Sequence, residues 1–169
     1  MGYDELSYWL TSEFDLQLIL SNLTLLFVAF LFALPMAYNR ERSSRSAGLR
    51  TFPLVSIASC GYMLIGISIF DSDGSVARVT YGIITGMGFI GGGAILKSDG
   101  NIRGTATAAS IWNTGAIGVS VAFRMYEIAL VLSIVNFLIL RFAEPIKETK
   151  LSKKNKDEGD DDQRDDEES

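Results

Sequence analysis

Apolar residues gather into five long runs, separated by short polar or charged stretches. The runs fall at about Leu16–Tyr38, Phe52–Phe70, Val79–Leu96, Thr105–Phe123 and Glu127–Phe142. A helix that crosses a bilayer needs about 20 mostly apolar residues, with a usual range of ~17–25. The pattern therefore predicts an all-α integral membrane protein with five transmembrane helices. Pro35 should kink the first helix near its end, and Pro53 opens the second, where a proline in the first turn costs little. Asp71, Asp73 and Gly74 read as an outer turn, and Ser98-Asp99-Gly100-Asn101 as turn chemistry on the opposite side.

The third and fourth runs differ from the rest. The third holds Gly82, Gly86, Gly88, Gly91, Gly92 and Gly93, and the fourth carries Thr107, Ser110, Asn113, Thr114 and Gly118. Each glycine costs a water-exposed helix about 1 kcal/mol relative to alanine. In a bilayer, small residues at four-residue spacing let two backbones approach closely, and packing holds the pair. The glycines are thus expected to be helix-packing positions. The two runs are expected inside the bundle, away from lipid, joined by a tight turn.

Charge sets the orientation. Arg40, Arg42, Arg45 and Arg50 lie in the first loop, Lys97 and Arg103 in the third, and seven more basic residues from Arg141 onward. The other side has only Arg78 and Arg124, so the bias is thirteen to two. Basic loops stay in the cytoplasm, which places the N-terminus outside and the C-terminus inside. The net charge of −5 belongs to the end of the chain: residues 155–169 hold nine acidic side chains, and the remainder sums to +2. That stretch lacks apolar periodicity and reads as a disordered acidic tail. The expected division is a short acidic segment over 1–15, a membrane domain over 16–144 and the tail over 145–169. Acidic residues stand where a secretory signal would be basic, so the first run is expected to remain in the mature protein.

Composition removes several chemistries. The chain has no histidine, and Cys60 is its only cysteine. Internal disulfides, His/Cys metal sites and Ser-His or Cys-His catalysis are excluded. Cys60 lies in an apolar run and reads as a small buried hydrophobe. No carboxylate falls in the middle of a run; Asp15, Glu127 and Glu144 sit at the edges. An embedded charge is the usual mark of an ion pathway, and its absence weakens a self-contained cation transporter without removing one built from hydroxyls, amides and carbonyls.

Two glycine motifs need weighing. Gly86 to Gly91 matches G-x-G-x-x-G, whose physics requires a preceding strand and a helix N-terminus facing pyrophosphate. Here it lies within a span-length apolar run, and packing is the better reading. Gly91 to Ser98 is a near miss to the phosphate-binding loop, with Leu96 where the glycine before lysine belongs. Lys97 instead suits the membrane boundary, reaching toward headgroups. The polar stripe Thr107, Ser110 and Thr114 with Asn113 reads first as interhelical hydrogen bonding and second as a polar lining for a solute. The arginine-rich first loop reads as anchoring to anionic lipid, with a fixed cluster of Arg50, Glu41 and Arg103 as the lesser alternative.

Three blocks carry a resemblance: Ala47-Gly48-Leu49-Arg50-Thr51, then Gly86-x-Gly88-Phe89-Ile90-Gly91-x-Gly93, then Arg103-Gly104 with Thr107-Ala108-Ala109-Ser110-x-Trp112. In order and spacing the chain resembles the MgtC/SapB family of bacterial inner-membrane proteins, over about Leu18 to Phe142. Asn39-Arg40 stands where the family carries Glu-Arg, with Glu41 beside it as the substitute, and Ala33 and Ala37 stand at glycine positions. Family-motif candidates are Arg40, Glu41, Gly48, Arg50, Thr51, Arg103, Gly104, Thr107, Ser110, Trp112 and Asn113. The resemblance implies a multi-pass inner-membrane location, a link to magnesium homeostasis and low-magnesium adaptation, and in pathogens survival inside host cells. It implies regulation of other membrane proteins, the ATP synthase among them, and no ligand-sensing domain after the membrane part. The expected protein is not an enzyme and takes no cofactor. Its expected partners are lipid, other membrane proteins or a second copy, and not nucleic acid. Magnesium or other cation transport is the alternative, with no metal ligand assignable.

Overall fold

The computed structural model describes residues 15–42, 48–98 and 101–142. Helix α1 spans Leu16–Arg42 and α2 spans Thr51–Ile69. Helix α3 spans Asp73–Gly93, a hairpin follows with β1 at Leu96–Ser98 and β2 at Asn101–Arg103, and α4 spans Thr105–Ala122. Residues 126–142 form α5. The acidic N-terminal segment and the C-terminal tail lie outside the described residues.

The ends of these helices follow from local chemistry. The Asp15 carboxylate accepts the N–H groups of Gln17 and Leu18 at 2.9 and 3.2 Å, filling the start of α1. Helix α1 runs on through Pro35 to Arg42. Helix α3 begins six residues before the apolar run does. Ser72 is its N-cap, accepting the Ser75 N–H at 3.3 Å, and Asp73 sits in the first turn, where a negative charge suits the helix dipole. Asp73 and Gly74, expected in a turn, are therefore helical. At the far end of α4, Arg124 takes the left-handed conformation at φ 60°. Its N–H reaches the Val121 carbonyl and that of Met125 reaches Ser120, both at 2.9 Å, which closes the helix with a Schellman turn.

Helix α4 is the centre of the bundle, packing against α1, α2 and α3 and reaching α5 through its polar face. Its buried face runs from Thr107 through Ser110, Thr114 and Gly118 to Val121. Gly118 allows the closest contact: a Cβ there would overlap the Ser56 carbonyl oxygen and lie 2.9 Å from Ser59 Cβ. Close packing of backbones is what small residues permit in a helix pair. Helix α3, by contrast, lies at the edge and buries only Met87 and Gly91. The expectation that both runs are interior thus holds for α4 and not for α3. A helix this thin has few side chains to bury, and among the described residues its one filled glycine notch is Gly91, where a Cβ would lie 3.1 Å from the Ala108 carbonyl oxygen.

Small and polar residues share the interior with Met36, Phe52, Met63, Ile111 and Ile117. Ala29, Ala33, Ala37, Ser56, Ser59, Cys60 and Thr114 are fully buried, while Leu20, Phe27, Ile65, Val131 and Ile139 face outward with more than half their surface open. A water-soluble monomer rarely exposes apolar surface so continuously. Helices α1 and α2 are long and apolar enough to cross a membrane.

Candidate functional site

Antiparallel packing brings the C-terminal ends of α1 and α5 together with the start of α4. There the bundle carries a seam of hydrogen-bonding groups. Ser110 Oγ lies 3.0 Å from Asn136 Oδ1 and 2.8 Å from the Ala106 carbonyl. Asn136 Nδ2 donates to Met36 Sδ at 3.2 Å. Thr114 Oγ1 lies 3.0 Å from the same sulfur and 2.7 Å from the Ser110 carbonyl. Ser133 Oγ donates to the Phe32 carbonyl at 2.6 Å, and Asn113 Nδ2 approaches the Leu132 carbonyl at 3.4 Å. Met36, Ser110, Thr114, Ser133 and Asn136 are all buried. The seam ties α1, α4 and α5 to one another without an ionisable group.

Arg40, one turn beyond Met36, is fully buried. Next to it the Glu41 carboxylate accepts the Leu49 N–H at 3.1 Å, joining the end of α1 to the turn before α2. That contact explains Gly48, because a Cβ there would run into Glu41 Oε2. The Gly48 carbonyl accepts the N–H groups of Thr51 and Phe52 at 3.1 and 3.2 Å, so one turn holds three of the motif positions.

The remaining predicted residues scatter. Thr107 is buried beside the seam on α4, Thr51 and Asn113 are half-buried, and Arg50, Arg103 and Trp112 are exposed. Gly104 has φ 87°, and a Cβ on it would overlap the Ala94 carbonyl oxygen. Only glycine fits there. Around Gly82, Gly86, Gly88, Gly92 and Gly93 an added Cβ would meet nothing within 4 Å, so these five face open space. Gly82 and Gly86 line an apolar groove of about 580 Å³ between α2 and α3. The G-x-G-x-x-G stretch lies wholly inside α3. Among the described residues no three His, Cys, Asp or Glu side chains gather to hold a metal ion. Met36, Ser133 and Asn136 were not among the expected site residues. Ser133 and Asn136 are one helical turn apart in an apolar run, and that spacing was the available signal.

An inside-out helical bundle with a polar seam defines a membrane protein. The family model described as the MgtC family matches residues 26–149, and the chain belongs to that family. It is 32% identical over 138 residues to "Putative magnesium transporter YhiD" of Escherichia coli K12, covering 78% of this chain and 60% of that protein. It is 33% identical over 128 residues to "Protein SrpB" of Synechococcus elongatus, covering 68% and 70% of the two chains. It is 38% identical over 91 residues to "Protein MgtC" of Brucella abortus, covering 54% of this chain and 38% of that one. No solved structure matches the chain.

Proposed function

We propose that the chain is a non-enzymatic, five-span protein of a bacterial cytoplasmic membrane, with its N-terminus outside, linked to magnesium homeostasis. It acts by binding and regulating other membrane proteins, such as the ATP synthase, or by associating with itself. The open face of α3 is the observation that carries this reading. Gly82, Gly86 and Gly93 share one stripe of α3 and Gly88 and Gly92 another, and each stripe leaves room for another helix to pack backbone to backbone. The large apolar residues exposed along the helices support five spans. So does the thirteen-to-two excess of basic residues on one side. The seam supports a structural task for the polar residues, since its hydroxyls and amide are occupied by one another and by backbone carbonyls.

The second reading is transport of magnesium or another cation, favoured by the name of the Escherichia coli relative. Flux measured in liposomes holding the purified protein separates the two. Regulation through partners predicts no magnesium flux with the protein alone, and robust flux without partners would replace it with transport. Crosslinking in native membranes from Gly88→Cys on a Cys60→Ala background should capture a membrane protein or a second copy. Absence of any adduct there would count against the α3 face as the contact.

A further inference from the structure

The hairpin of β1 and β2 stands between two helix ends that both stop at one side of the bundle. Its register pairs Leu96 with Arg103 and Lys97 with Ile102. Cross-strand partners share a face of a hairpin, so each face carries one large apolar and one basic residue. Leu96 is 64% exposed and Ile102 58%, and Lys97 and Arg103 are exposed beside them. The base of the hairpin is pinned, because Gly104 lies directly on the Ala94 carbonyl. Three residues per strand reach only about 10 Å from that base. The headgroup layer on each side of a bilayer is about 5–8 Å deep. With its base at the edge of the hydrocarbon core, an element of this reach would stay at the depth where apolar side chains meet acyl chains and ammonium or guanidinium groups meet phosphate.

We propose that the β1–β2 hairpin seats in the inner leaflet surface, with Lys97 and Arg103 holding anionic lipid headgroups and Leu96 and Ile102 entering the acyl boundary. Charge complementarity selects this occupant. The cytoplasmic leaflet is negative and draws basic side chains close to a membrane, and Arg50 is exposed at the same end of the bundle. Long basic side chains can keep their charge among headgroups while their stems lie on apolar surface. A two-stranded hairpin alone in water is marginal, and lipid contact on either face supplies what it lacks. This inference rests on the five-span reading, which puts the hairpin on the inner side.

The test uses the full chain on a Cys60→Ala background, carrying an environment-sensitive fluorophore at Ile102→Cys. Leu96→Cys serves as the second site if the first variant folds poorly. In nanodiscs of phosphatidylcholine with phosphatidylglycerol, the emission should shift to the blue and be quenched by brominated acyl chains. Adding Lys97→Gln and Arg103→Gln should weaken the dependence on phosphatidylglycerol, lowering its enrichment about fivefold per charge removed. A probe that emits as in water and escapes quenching at both sites overturns the proposal, as does an unchanged lipid dependence in the double variant. Right-side-out and inverted vesicles, treated with an impermeant thiol reagent, distinguish the two levels of failure. Labelling from the inner side without quenching removes the hairpin proposal alone. Labelling only from the outer side removes the five-span orientation with it.

Discussion

Single residues in this bundle are chosen by what they leave out. Gly104 must lack a side chain because its backbone is left-handed and the Ala94 carbonyl occupies the Cβ position. Gly104→Ala should lower stability by roughly 1–3 kcal/mol, the cost of a strained non-glycine conformation, or more once the overlap is added. A thermal unfolding series in detergent reads that loss directly. Asn136 is the opposite case, a polar residue kept for its contacts with Ser110 and Met36. Interhelical hydrogen bonds in membranes average about 0.6 kcal/mol and reach about 1.7. The double-mutant cycle of Ser110→Ala and Asn136→Leu should therefore return a coupling of about 0.5–1.5 kcal/mol, and additive single effects would remove Asn136 from the seam. Gly48 was recognisable as a motif position, yet its reason was not. That reason is the Glu41 carboxylate seven residues earlier, and residue spacing does not show which side chain folds back over a turn.

At the scale of elements, the five apolar runs announced five helices, of which α1 and α2 are long and apolar enough to cross a membrane. The α3 start was legible only in hindsight: Asp73 to Arg78 is polar, and its helical state rests on the Ser72 cap. The hairpin was read as a turn, since three-residue strands are too short to show an alternating pattern. Spacing marked the α3 glycines as packing positions but could not say what they meet. Gly91 meets α4, whereas Gly82 and Gly88 meet nothing among the described residues. Two leucine substitutions make the distinction measurable. Gly118→Leu should prevent α2 and α4 from closing and abolish folded protein in size-exclusion profiles. Gly82→Leu should leave the folded chain intact in the same assay and lower its association with partners or copies.

For the whole molecule, the large apolar residues that face outward along the helices are the property from which the rest follows. It makes lipid the solvent for the outer surface and leaves packing and hydrogen bonds, not hydrophobic burial, to hold the helices together. Cysteines placed singly at residues 78 and 124 should react with an impermeant reagent from outside intact cells. Those at residues 50 and 103 should react only after the membrane is opened; the reverse pattern would invert the orientation.

The polar seam sets an order of assembly. Ser133 and Asn136 on α5 complete the contacts of Phe32 and Met36 on α1, about a hundred residues earlier in the chain. While the ribosome is still making α5, Ser110 and Met36 keep only their contacts with the Ala106 carbonyl and Thr114. The tie between α1 and α5 closes only once residues 133–136 have been made, and the packing of α1 against α4 has to hold the two helices until then.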